Sequence, residues 1–417
     1  MHSGETTHHT GAPRSGPARS ALALLSVSVC LLAGCSTGTS DAKNPAADPA
    51  KSPVQVARAA TGPRLDLHAT DGQEHVPVTT GGRVTVEGGT IAEAYLSTAD
   101  GRAVPGERSP DKKSWAPSVD LKRGTAYRLT ATATDADGHR TTRTVAFTTL
   151  AEADRFTGTY TPEDGSTVGV GMPVSFTFDK AITDKKAVES AVEVTSDSGQ
   201  TVVGHWFGGQ RLDFRPQEYW KPNSTVTVRI RLAGVKGAAD AYGEQDKTLR
   251  FKVGRSQVST VDAAAHTMKV VRDGTTVRNI PITAGADSSP TWNGQMVISE
   301  KLISTRMNGA TVGFAGQYDI PDVPHAMRLS TSGTFIHGNY WGDDSVFGKS
   351  NISHGCVGLN DAKGGGDSGQ DGAWFYDNSL LGDVVVVKNS DDKVIAPDNG
   401  LNGWNMPWGE WTAGSAR

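Results

Sequence analysis

Charge of one sign, leucine and cysteine are all in short supply in this chain. Lys and Arg total 41 against 45 Asp and Glu, for a formal net charge of −4. So even a balance gives no electrostatic reason to expect nucleic acid as the partner. Leucine is sparse, whereas Gly reaches 49 residues and Ser and Thr abound. That bias disfavours a helical protein and suits an all-β one with many tight turns. The apolar run Ala21–Leu32 is too short to span a bilayer as a mature helix. Cysteine occurs three times, as Cys30, Cys35 and Cys356.

What is present begins with a targeting segment. Arg14 and Arg19 form a basic region ahead of the apolar run, the pattern of a signal-peptide core. The run ends in Leu32-Ala33-Gly34-Cys35, which resembles the lipobox of bacterial lipoproteins. The resemblance implies that residues 1–34 are a cleaved leader and that Cys35 carries a diacylglyceryl group; a plain secretory signal with an incidental Cys35 is the alternative. Cys30 then leaves with the leader and Cys35 is acylated. Cys356 becomes the single thiol of the mature protein, and no intrachain disulfide is possible although an exported compartment would permit one. A lone thiol in an exported protein calls for a function.

A chain of 417 residues exceeds one compact domain, since domains usually hold about 100–200 residues. Residues 35–62 are rich in Ala, Pro, Ser, Thr and Asp without apolar periodicity and read as a flexible tether. Over 63–150, short alternating stretches such as Arg83–Glu87, Tyr127–Thr134 and Arg143–Thr148 are separated by Asp71-Gly72, Gly81-Gly82 and Asp137-Gly138. This spacing predicts a small β-sandwich. Residues 151–254 repeat the style with Val174–Asp179, Val192–Ser196, Arg211–Phe214, Val226–Leu232 and Lys247–Val253, so tandem immunoglobulin-like modules are expected. Over 255–390 strands are predicted at Val258–Asp262, Thr267–Arg272, Val277–Ala284 and Val384–Lys388, with a short helix at Gly372–Leu381. Long Gly- and polar-rich stretches, Asn308–Pro324 and His337–Gly372, lie between them, and loops of that length are usually functional. The tail 391–417 carries Trp404, Trp408 and Trp411 and is expected to pack back on the body. The fold class that follows is mainly β.

The chemically informative stretch is Ser353-His354-Gly355-Cys356-Val357-Gly358-Leu359, preceded by His337-Gly338. A thiol needs a base to become a thiolate near neutral pH, and imidazole is the side chain suited to it. Gly355 leaves room for close approach of a substrate backbone, and main-chain amides beside a nucleophile can hold an oxyanion. Two plainer readings compete. Cys356 could be a buried structural thiol, or Cys356, His337 and His354 could bind zinc, although neither a fourth ligand nor an acidic base stands out nearby.

The arrangement resembles the YkuD-like catalytic domain of the L,D-transpeptidases. Its signature is a His-Gly or His-Ser pair, a gap, and then Ser-His-Gly-Cys. Two immunoglobulin-like modules, a catalytic domain and a Trp-rich tail resemble the layout of actinobacterial members. The block Gly165–Pro173, with Val168-Gly169-Val170-Gly171-Met172-Pro173, looks like the start of their second module. The resemblance implies that Cys356 is the nucleophile, His337 its base, and His354 a residue that orients its neighbours. Tyr318 matches a loop tyrosine over the site, Ser332-Gly333 a substrate-contacting pair, and Ser353 and Gly355 further substrate contacts. Gly358 stands where many relatives have Asn, and Gly338 where others have Ser. His325, Trp341 and Arg328 are expected to pack or support, and His205-Trp206 to lie in a core or interface.

On this resemblance the implied reaction cross-links peptidoglycan. Cys356 attacks the third-residue carbonyl of a tetrapeptide stem, D-alanine leaves, and the thioester passes to the side-chain amine of a second stem. No metal or organic cofactor is implied. The partners are donor and acceptor stem peptides and, through the lipid anchor, the outer face of the plasma membrane in the cell envelope; nucleic acid is not among them. The alternatives are a cysteine carboxypeptidase or amidase that uses water, and a wall-binding lipoprotein without catalysis.

Overall fold

A computed structural model describes residues 62–417. The leader, Cys35 and all of the tether but its last residue lie outside the described residues. The described part is mainly β, as the composition and turn spacing lead one to expect.

Alternation of apolar and polar residues builds the first module. Val84–Glu87 buries Val84 and Val86 and exposes Thr85 and Glu87, the period-2 pattern of a half-buried strand. Its sheet runs in the order Arg64–Asp66, Val84–Glu87, Ser114–Pro117, Gly106–Arg108. A five-stranded sheet faces it, centred on the hairpin Ala126–Thr134 and Arg140–Thr149. Gly138, in the turn of that hairpin, has φ +84, which glycine adopts without steric cost. Between the sheets lie Ile91, Leu96, Trp115, Leu129 and Phe147. The second module also has two main sheets, both four-stranded, with a third sheet of three short strands. Its core is aromatic: Phe156, Phe176, Phe178, Trp206, Phe214 and Trp220. Helix α1 (Lys185–Ser190), not anticipated from the sequence, starts at Asp184, whose carboxylate accepts the Ala187 N–H at 3.0 Å.

The segment from Gln257 onward folds around one nine-stranded sheet. In chain order its strands are β1 (Gln257–Asp262), β2 (Thr267–Arg272), β3 (Thr275–Thr283), β4 (Gly294–Val297), β5 (Glu300–Asn308), β6 (Asp319–Arg328), β7 (Phe335–Asn339), β8 (Val357–Asn360) and β9 (Val384–Lys388). Their order across the sheet is β4-β9-β1-β2-β3-β8-β7-β6-β5. Most pairs are antiparallel; β7 and β8 run parallel, with His337 opposite Gly358. Helix α2 (Asp371–Asp377) lies against β6, β7 and β8 and buries Phe375 in the core. It is the helix predicted at Gly372–Leu381, shifted by one residue at its start and four residues shorter at its end. The stretches read from sequence as long loops contain more order than expected: β6 begins inside Asn308–Pro324, β8 falls within 337–372, and α2 begins at the end of that stretch.

The Gly-Val-Gly-Met-Pro block has a physical explanation at the junction of the second module and this sheet. A Cβ on Gly169 would lie 2.3 Å from the Asp383 N, and one on Gly171 would lie 2.4 Å from Val384 Cγ2. The missing side chains let Gly169 N and Gly171 N bond to the Leu381 and Gly382 carbonyls at 2.7 and 2.9 Å. Asp383 is itself held by Arg255 at 2.9 and 3.0 Å. The tail closes the same junction. Trp404 Nε1 donates to the Gly171 carbonyl at 2.7 Å. Helix α3 (Trp408–Ala413) presents Trp411, which, with Trp404 and Trp408, surrounds the buried guanidinium of Arg215 at 4.2–5.3 Å. His205 stacks on Trp411 and Trp206 Nε1 donates to Glu189 at 2.9 Å, so this pair lies in the core and under the tail.

Candidate active site

Cys356 sits at the mouth of β8, immediately before the strand begins. The Ser353–Cys356 loop is tied into shape by its own residues. Ser353 Oγ donates to the Cys356 carbonyl at 2.6 Å and accepts the Gly355 N–H at 3.2 Å. Ser353 also bonds through its backbone to Ala284 and Ala286. Gly355 has φ +105, outside the range that residues with a side chain favour. The hydroxyl of Ser353 is therefore engaged by the loop, and Gly355 supplies a backbone conformation.

The Cys356 thiol donates weakly to the Gly333 carbonyl at 3.7 Å. Burial pushes it up to about 11, a shift that a backbone hydrogen bond at Phe335 opposes. His337 projects from β7 and is 5% exposed. Burial lowers its pKa, partly offset by the hydrogen bond to Gly338. Its Nδ1 lies 2.9 Å from the Gly338 carbonyl. A carbonyl only accepts, so this contact assigns the proton to Nδ1 and leaves the Nε2 lone pair free. The two shifts point the same way: at rest the site holds a neutral thiol and a neutral imidazole.

Both groups line one cavity of about 150 Å³, together with Met307, Tyr318, Ile320, Asn339, Trp341, Ile352, Ser353, His354 and Gly358. A second cavity, of about 270 Å³, adjoins it across Tyr318 and His354, with Ser332, Gly333 and Gly355 in its wall. The roof of both is the β5–β6 hairpin. Its tip places Phe314 and Tyr318 against the His354 ring at 5.3 and 4.9 Å. The Tyr318 pKa is raised, first by burial and then by the negative charge that nearby Cys356 carries once ionised. Ser332 is clamped by the tail: Asn399 accepts its N–H at 3.0 Å and donates to its Oγ at 2.8 Å. Thus Cys356, His337, His354, Tyr318, Ser332, Gly333, Ser353 and Gly355 are all brought together. The thiol sulfur and the ring nitrogens of His337 and His354 do not converge within 4.8 Å of one another as a ligand set would; among the described residues only Asp135, Asp137 and His139 do so, on an exposed turn of the first module.

The structure accounts for both glycine departures. A Cβ on Gly338 would lie 2.2 Å from Asp361 Oδ2. That carboxylate is buried and pairs with His325 Nδ1 at 2.7 Å, which is the supporting role of His325. A Cβ on Gly358 would lie 2.8 Å from Thr283 Cγ2. Arg328 bonds Glu300 at 2.7 Å and covers Phe335. Sequence reasoning missed the walls. Trp341, read as packing, stacks on His337 at 5.7 Å while remaining 42% exposed on the rim. Asn339, Met307, Ile320 and Ile352 escaped notice because single uncharged residues in long polar stretches carry no pattern. The one available signal was the run His337-Gly338-Asn339-Tyr340-Trp341, two aromatics directly after a candidate base.

A thiol and a buried imidazole that line one roofed cavity, on a mainly β head, define a cysteine-dependent acyl-transfer enzyme. Residues 256–387 match the model of the L,D-transpeptidase catalytic domain, and residues 73–236, across both modules, match that of a bacterial Ig domain. L,D-transpeptidase 2 of Mycobacterium tuberculosis is 32% identical over 360 residues, covering 85% of this chain and 85% of its own. L,D-transpeptidase 5 of the same species is 31% identical, covering 85% of this chain and 77% of its own. A solved structure, that of the LD transpeptidase LdtMt1 in complex with imipenem, is 28% identical, covers 55% of this chain and 97% of that one, and superposes with a TM-score of 0.47. The chain belongs to the L,D-transpeptidase family.

Proposed function

We propose that this enzyme cross-links peptidoglycan through Cys356 from the outer face of the plasma membrane, where a lipid on Cys35 holds it. The observation that carries the reading is the contact of His337 with Gly338: with Nδ1–H spent on that carbonyl, Nε2 is left as the base of an imidazole that lines the same cavity as Cys356. Nε2 takes the thiol proton as sulfur bonds to the third-residue carbonyl carbon of a tetrapeptide stem. Backbone N–H groups at Gly355 and Cys356, with the Tyr318 hydroxyl, stabilise the oxyanion. The Gly355 N–H is shared with Ser353 Oγ, so the Cys356 amide is the freer donor. The C–N bond to D-alanine then breaks and the imidazolium protonates the departing amine. The side-chain amine of a second stem attacks the thioester, a new amide forms, the C–S bond breaks, and the acceptor's proton returns through His337 to the thiol. His354, between Phe314 and Tyr318, keeps the roof in register over the thiol. Ser332-Gly333 border the donor path, and Ser353 and Gly355 shape the loop that presents Cys356. The two β-modules carry this head from the membrane into the wall.

The test is product analysis with disaccharide-tetrapeptide. A dimer joined through third-position residues, with D-alanine released, is expected; tripeptide alone would mark a carboxypeptidase. The anchor has its own test. Fatty-acid label should enter the wild-type protein and be absent from Cys35→Ala, and an unlabelled wild type would refute the lipid.

A further inference from the structure

Asn339 follows the candidate base by two residues and is 4% exposed. Its Oδ1 accepts two backbone N–H groups of the turn that follows, from Gly342 at 2.8 Å and Trp341 at 3.2 Å. Those two bonds assign the amide: Oδ1 is taken up by the turn, which leaves Nδ2 as the arm without a protein partner. Nδ2 has no acceptor among the described residues. Nδ2 is not sealed in the interior, so its N–H is left available to whatever enters the cavity that Asn339 lines.

The surroundings say what the donor faces. Asn339 lines the cavity that holds Cys356 and His337. Met307, Ile320 and Ile352 in the same wall offer a peptide only apolar contact. On the neighbouring strand, a Cβ on Gly358 would come within 3.4 Å of Nδ2. Glycine at 358 thus leaves the amide uncovered on the cavity side. A peptide entering such a cavity loses water from its oxygens and needs donors in return.

We infer that Asn339 Nδ2 is a substrate-binding donor that holds an oxygen of the donor stem, a peptide carbonyl or the terminal carboxylate, while Cys356 is acylated. This rests on the stem-peptide reading above. Asn339→Asp separates the donor from the turn-holding role. The aspartate keeps the size and still accepts from Trp341 and Gly342, but it cannot donate. Asn339→Ala loses both functions. Three quantities are measured on each: kcat/KM for disaccharide-tetrapeptide, Tm, and the rate at which iodoacetamide, which needs no such donor, alkylates Cys356.

For Asn339→Asp the expected result is a Tm near wild type, alkylation within about threefold, and kcat/KM down by about 10- to 100-fold, with KM raised. A donor stem ending in D-alaninamide locates the oxygen. The loss persists if it is a peptide carbonyl and disappears if it is the terminal carboxylate. Unchanged kcat/KM in Asn339→Asp, with a lowered Tm in Asn339→Ala, would reduce Asn339 to a turn residue and overturn the inference. An alkylation rate that falls in parallel with peptide turnover would overturn it too, since the new charge would then be acting on the thiol. If wild type itself releases no D-alanine, the stem-peptide reading fails and takes this inference with it; turnover by wild type that Asn339→Asp matches sinks the inference alone.

Discussion

Burial acts on the two members of the proposed catalytic pair in ways that favour the uncharged form of each. It lowers the His337 pKa and raises Cys356 to about 11. The rate with pH follows from the signs. A base whose pKa is depressed stays neutral below the ordinary imidazole value, so the acid limb of carbapenem acylation should fall below pH ~6.5. A limb at or above that value would contradict a buried neutral base. His337→Ala should slow the same acylation by roughly two to four orders of magnitude, with recovery as pH climbs toward the thiol pKa. Ordinary cysteine chemistry places that recovery near ~8.5, but the burial of Cys356 moves it toward about 11. His354→Ala, if it acts through the roof, should show no such recovery. Cys356 and His337 were legible in the sequence because a cysteine flanked by His-Gly, with a second His-Gly pair ahead of it, has few uses. Asn339 was not, since its role depends on which arm of an amide faces a turn.

At the scale of elements, the site lies on the paired parallel strands β7 and β8 under a hairpin roof. Sequence patterning found the strands that alternate or form a short run of β-branched residues, and lost those that do neither. Thr267–Arg272 and Val384–Lys388 coincide with β2 and β9. Strand β7 is buried at all five positions, so its residues show no period-2 signal. Strand β5 is an edge strand with Ile303 73% exposed, and its sequence Glu-Lys-Leu-Ile-Ser-Thr-Arg-Met-Asn alternates only weakly. The roof itself yields a prediction. Gly333 has φ +96, and a Cβ there would lie 2.4 Å from Val312 Cγ1 in the hairpin tip. Gly333→Ala should displace Val312 and loosen the roof over Cys356. The expected outcome is a Tm loss of a few degrees, consistent with about 1–2 kcal/mol for a strained residue, and a larger proportional loss in KM than in iodoacetamide reactivity. Peptide KM unchanged in that variant would mean that the tip does not contact substrate.

For the whole molecule, the second module, the sheet and the tail are joined by groups that tolerate no change of size. Gly169→Ala would press a methyl against the Asp383 backbone and carboxylate, at 2.3 and 2.4 Å, where no flexible side-chain end can yield. It should cost about 1–3 kcal/mol, read as a lower Tm, and split the thermal transition if module and head then melt separately. A single transition at the wild-type Tm would show that the junction is looser than these contacts require. The modular plan was readable from turn spacing and the change of pattern at Gln257. The junction was not, because Gly169, Gly171 and the Arg215–tryptophan cluster belong to segments far apart in the chain. The account's central claim is that Cys356 carries the acyl group between stems, and intact mass with peptide mapping tests it most directly. After incubation with disaccharide-tetrapeptide, the wild-type protein should gain the mass of the donor less D-alanine, on the peptide containing Cys356, and Cys356→Ala should gain nothing. D-alanine release with the adduct on a serine, or release undiminished in Cys356→Ala, would contradict it.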